Sequence, residues 1–170
     1  FVGHGWPYSP GQLERPGWTF YAAANLNDHN PWFPVMHDVC SYLQRVCSAL
    51  SLGERHVDIA VYIPLHDAYA DFRARDRIKE LVLCMNLKPR IGMELPLELL
   101  RRGYNFDLID DDGMAALAAG DGPSYRAVIL PPTERIPVET ANAVHAVSSR
   151  IPVLALGRLP DKTPGFLNHD

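Results

Sequence analysis

With 170 residues, the chain suits one ordinary domain, or one domain carrying part of another. Apolar residues make up 47% and charged residues 21%, which excludes a disordered or low-complexity chain. Sixteen Lys and Arg against 20 Asp and Glu leave a net charge of -4. That balance argues against nucleic acid as a partner, because binding phosphates takes a clustered positive surface.

No apolar run reaches the roughly 18 residues of a membrane span, so no membrane partner is read, and no basic-then-apolar opening marks a signal peptide. The compartment stays open. The three cysteines exclude a disulfide framework. Cys40 and Cys47 fall on one predicted helix, where a rise of about 1.5 Å per residue parts their Cα atoms by roughly 10 Å, beyond the ~7 Å limit for a bridge. The cysteines therefore read as buried structural thiols. Fifteen prolines mostly mark boundaries between apolar runs.

Phe1 to Gly5 reads as a strand end running into a turn, and Trp6-Pro7-Tyr8-Ser9-Pro10-Gly11 excludes regular structure. A second loop covers Asn25 to Pro34, with Pro34 opening a helix. Met36, Val39, Cys40, Leu43, Val46, Cys47 and Leu50 recur at three- and four-residue steps, and Gly53 supplies the stop. The expected buried face is Met36, Val39, Leu43, Val46 and Leu50, with Asp38, Gln44 and Arg45 outward. Val57 to Ile63 then reads as a strand ended by Pro64. Helical stretches follow over Tyr69 to Met85 and Leu95 to Arg102, the latter capped by Gly103. Phe106 to Ile109 is the next strand, closed by Asp110-Asp111-Asp112-Gly113 before a helix over Met114 to Ala119. The aspartates read as a helix cap complementing its positive N-terminal end. Ala127 to Leu130 and Val153 to Gly157 are further strands, with a helix over Val138 to Ser149 between them.

Near-continuous apolar strands alternating with helices predict a parallel sheet covered on both faces, and the crossover rule predicts a doubly wound, flavodoxin-like layout. Four strands fall short of the usual five or more. Together with the opening at Phe1 and the polar tail from Pro160, this sets the expectation of a piece of a longer protein. No dinucleotide glycines follow the first strand, where Pro64-Leu65-His66-Asp67 stands. No phosphate loop, nucleophile elbow or zinc motif is present either. The sheet domain reads as structural, with no identifiable cofactor and no metal site.

The candidate site is the ring-rich opening, where His4, Trp6, Tyr8, Trp18, Tyr21, Trp32 and Phe33 fall within the first 33 residues. Aromatic faces with a few polar groups between them suit a sugar, whose C–H faces stack while its hydroxyls take hydrogen bonds. The competing reading is that these rings pack a domain interface.

His4-Gly5-Trp6-Pro7-Tyr8-Ser9-Pro10, Pro16-Gly17-Trp18 with Tyr21-Ala22-Ala23, and Asn30-Pro31-Trp32-Phe33 resemble the late catalytic region of family 106 glycoside hydrolases, the α-L-rhamnosidase-type enzymes. The likeness continues through Tyr42-Leu43-Gln44-Arg45, Val57 to Val61, Gly103 to Asp107 and Leu156 to Pro160. The resemblance implies an α/β architecture in which the end of a (β/α)8 barrel, residues 1–53, is followed by a truncated flavodoxin-like sheet, residues 57–170. It implies hydrolysis of terminal deoxyhexose linkages in the full-length enzyme, with the remaining domains of that chain as partners. His4, Trp6, Tyr8, Asn30 and Trp32 then become carbohydrate-binding residues, since barrel enzymes build their sites on loops after the strands. The catalytic acid and base are expected outside this chain. Glu14 and Asp28 are the carboxylates near the rings, and neither matches a family motif. Calcium and an extracellular or periplasmic location are implied by the resemblance alone, with no ligand set in this sequence. The alternative is a noncatalytic flavodoxin-like interaction module.

Overall fold

The computed structural model describes residues 10–14, 26–28, 30–71, 83–92 and 94–165. The chain separates into two compact units, Phe1–Arg55 and His56–Asp170.

The described part of the first unit is dominated by one helix. A single 3-10 turn over Phe33–Val35 takes Pro34 in its first positions and leads into α1, Met36–Leu50. Gly53 beyond its end has φ 80°, a conformation that glycine adopts without Cβ strain. Asp38, Gln44 and Arg45 are exposed, as the period requires. The apolar stripe departs from expectation. Met36, Val39, Leu43 and Val46 are only half-buried, and Leu50 is 81% exposed. Cys40 and Cys47 are likewise exposed free thiols rather than core residues, while the Cys84 side chain lies outside the described residues.

The second unit is α/β. Its strands are β1 (Ile59–Tyr62), β2 (Phe106–Ile109), β3 (Ala127–Leu130) and β4 (Val153–Ala155). They form one sheet in the order β2-β1-β3-β4, and every pairing is parallel. That order is compatible with a flavodoxin-like arrangement. Among the described residues, the helices are α2 (Leu65–Ala70), α3 (Leu83–Ile91), α4 (Glu94–Arg101), α5 (Asp111–Ala119) and α6 (Val138–Ser148).

Strand alternation builds a core on each face. Ala60, Tyr62, Val128, Leu130 and Ile109 meet Met114, Ala143 and Val147 from α5 and α6. On the opposite face Ile59, Val61 and Ile129 meet Ile91, Leu95 and Leu99 from α3 and α4. All four residues of β1 are buried, because a central strand is covered on both sides. Full burial of a side chain such as Val61 contributes about 1.5–3 kcal/mol. α5 sits close to β2 because residue 113 is glycine: a Cβ there would lie 3.0 Å from the Ile109 Cβ.

Two helix starts differ from the sequence expectation. Helix formation resumes at Leu65, directly after Pro64, not at Tyr69, and residues 72–82 of the expected Tyr69–Met85 stretch lie outside the described residues. α5 begins at Asp111 rather than Met114, so Asp111 and Asp112 lie in its first turn and Asp110 stands at the cap. Among the described residues, no helix is long and apolar enough to cross a membrane.

Candidate functional site

Of the ring-rich cluster, His4, Trp6 and Tyr8 lie outside the described residues, as do Trp18 and Tyr21. Asn30 and Trp32 fall together in one turn. The Asn30 Oδ1 accepts the Trp32 main-chain N–H at 3.2 Å, and the Asn30 carbonyl accepts from Phe33 at 2.9 Å. The Asn30 N–H in turn donates to the Asn27 carbonyl at 3.1 Å. This side-chain turn fixes the chain that enters α1 and leaves the Trp32 residue 43% exposed. Asn30 thus shapes the loop, and Trp32 presents the apolar surface.

In an open parallel sheet, ligands bind beyond the carboxyl ends of the strands, at the point where strand order reverses. Here that point lies between β1 and β3. The crevice is occupied by the chain's own carboxylate, Asp67, which is fully buried. Its Oδ2 accepts the Glu134 N–H at 2.6 Å and its Oδ1 accepts the Arg135 N–H at 3.0 Å. The Arg135 Nη1 adds a bond to Oδ1 at 3.2 Å, and the Arg90 Nη1 pairs with Oδ2 at 3.3 Å.

Local chemistry shapes each part. Pro64 ends β1 and caps the short α2, which places Asp67 in its first turn. The Thr133 hydroxyl donates to the Pro131 carbonyl at 2.7 Å, folding the loop after β3 so that successive N–H groups face Asp67. Burial works against the Arg135 charge. Its hydrogen bond to Asp67 and the nearby Glu134 and Asp67 charges outweigh that and hold the guanidinium above its ordinary range. Lys162 bonds Glu134 and holds that carboxyl below the usual range, against the effect of burial. Asp67 is fully buried while Arg90 and Arg135 are 22% and 27% exposed, so losing the carboxylate costs at most about 3–5 kcal/mol, the value for a wholly buried pair. Asp67 is therefore the clasp between the two loops.

Asp111 gathers a second network at the same end of the sheet. Its Oδ1 accepts from the Tyr62 hydroxyl at 2.8 Å and from the Thr140 hydroxyl at 2.7 Å. The His66 Nε2 lies 3.1 Å from its Oδ2. Burial first, then the Asp111 bond and the nearby carboxylates, pushes the Tyr62 phenol far above its ordinary value. It stays a hydrogen-bond donor. Asp110, by contrast, is the cap that the sequence suggested: its Oδ1 accepts from the Gly113 N–H at 3.0 Å.

Both networks were missed from the sequence, although the signal was present in Pro64-Leu65-His66-Asp67, which stands in place of phosphate-binding glycines. The arrangement holds loops together; no group of three His, Cys, Asp or Glu is placed to bind a metal among the described residues. A pocket of about 340 Å³, walled by Ile63, Leu87, Ile91, Phe106 and Leu108, lies on the α3–α4 face. Another of about 240 Å³ lies at the amino end of the strands, beside Asp121, Tyr125 and Arg150. Neither contains Asp67 or Asp111. In comparisons with family models, curated proteins and solved structures, the chain matches none of them.

Proposed function

We propose that this chain works within an α-L-rhamnosidase-type glycoside hydrolase similar to family 106, one that hydrolyses terminal deoxyhexose linkages with inversion. His4, Trp6, Tyr8, Asn30 and Trp32 belong to the sugar-facing side in this reading, and the parallel sheet is a noncatalytic domain of the same enzyme. Inverting hydrolysis takes two carboxyl groups roughly 6.5–9.5 Å apart, and these come from other parts of that enzyme.

The observation that carries the reading is the division of labour along the chain. Trp32 stands 43% exposed on a turn fixed by Asn30, while the ligand crevice of the sheet holds the buried Asp67. The first is a surface on which a sugar can stack; the second puts the chain's own carboxylate on the donors at the end of the sheet.

A second reading, a noncatalytic interaction module, is favoured by the half-exposed apolar stripe of α1 and the 81% exposed Leu50. Hydrolysis of an aryl α-L-rhamnoside by the gene product that carries this chain separates the two. The hydrolase reading expects turnover that releases the β anomer first. Absence of turnover across aryl deoxyhexosides favours the module.

A further inference from the structure

The surroundings of Asp67 are those of a bound ligand. Each of its oxygens receives one main-chain N–H and one guanidinium: Glu134 and Arg90 at Oδ2, Arg135 twice at Oδ1. Paired N–H groups beside forked guanidinium groups form a receptor for a planar carboxylate from any source. The donors are also held in place independently of Asp67. Arg90 pairs with Asp71, Arg135 with Glu134 at 3.2 Å, and Thr133 with the Pro131 carbonyl at 2.7 Å. The location is the crevice between β1 and β3, where open sheets of this kind take their ligands.

We propose that this crevice is a carboxylate-binding site whose ligand is built into the chain, the Asp67 side chain being its occupant and a small exogenous monocarboxylate its competent replacement. The inference does not depend on the hydrolase reading. Asp67→Ala removes one carboxylate group and keeps Cβ, so the vacated volume has the size and shape of formate. Two N–H groups lose their acceptor and two guanidinium groups lose one of theirs, and formate supplies it. Chloride supplies charge without the two oxygens.

The test is thermal unfolding of the 170-residue chain in sodium formate against sodium chloride at matched ionic strength. In chloride, Asp67→Ala is expected to unfold roughly 10–20 °C below wild type. Formate should raise its midpoint with the logarithm of its concentration, by roughly 5 °C when tenfold above its dissociation constant. Wild type should behave alike in both salts. Asp67→Asn keeps the crevice filled, so it should lose stability and gain nothing from formate. Where Asp67→Ala does not fold in chloride, the folded yield on refolding from urea is the readout, and formate should raise it several-fold. Equal behaviour of Asp67→Ala in the two salts overturns the proposal. An equal gain from formate in Asp67→Asn also overturns it.

Discussion

Replacing Asp111 by alanine strips one carboxylate from three donors, and the structure sets what that costs. Tyr62 is fully buried and Thr140 is 4% exposed, so both hydroxyls lose their partner out of reach of bulk solvent. An unsatisfied buried donor costs about 1–3 kcal/mol. His66 is half-exposed and rehydrates, adding at most about 1 kcal/mol. Asp111 is itself half-buried, so water entering its place offsets part of the sum. The expected loss is roughly 2–4 kcal/mol, or about 10 °C in the midpoint of the sheet unit. Urea unfolding should show a lower midpoint at an unchanged slope. All three tryptophans lie in the first 33 residues, so far-UV circular dichroism or amide exchange in β1 is the right probe. Adding Tyr62→Phe and Thr140→Val to Asp111→Ala should recover part of the loss, because no orphaned donor remains. A cost below about 1 kcal/mol for Asp111→Ala, or no recovery in the triple variant, would refute the network as described.

The Tyr62 phenol carries a pH dependence with a definite sign. Its folded value is raised above the unfolded value near 10, so its contribution is complete below pH 10 and declines as pH rises further. Wild type should lose up to about 1.4 kcal/mol per pH unit relative to Tyr62→Phe above pH 10; parallel alkaline curves for the two proteins would contradict this. On α1, Leu43→Ala should cost about 1–2 kcal/mol, below the usual 2–5 kcal/mol for a packed core, because that side chain is half-buried. Leu50→Ala, at a position 81% exposed, should stay within about 0.5 kcal/mol of wild type. Equal losses at the two positions, read from urea midpoints, would show that the stripe is packed differently.

The sheet was largely legible because its strands are short apolar runs between turn residues. Phe106–Ile109 and Ala127–Leu130 match the expected limits, and all pairings are parallel. Periodicity also located α1 and its outward Asp38, Gln44 and Arg45. Period reports which side chains share a face, not whether another element covers that face, so the exposure of Leu50 and the thiols was beyond it. The sequence places the next helix at Tyr69, because Pro64 ends the strand and the apolar pattern resumes only there. Pro64 instead caps a helix that begins at Leu65, an outcome set by tertiary contacts at Asp67.

The clasp itself could not be read locally. It joins residue 67 to residues 90, 134 and 135, and pattern reasoning within a window never brings these together. The triple aspartate shows the same limit. Asp110 does what its position before a helix suggests. Asp111, one residue on, is chosen by Tyr62, His66 and Thr140 from three other elements.

The proposed division between a sugar-facing segment and a noncatalytic sheet is tested most directly by steady-state kinetics on an aryl α-L-rhamnoside. The gene product that carries this chain should turn it over. His4→Ala should lower kcat/KM by roughly 5- to 150-fold, the effect of one lost hydrogen bond in the site, with turnover retained. His66→Ala, at the carboxyl end of the sheet, should leave kcat/KM at the wild-type value. No turnover by the wild-type protein, or an equal loss in the two folded variants, would contradict the account.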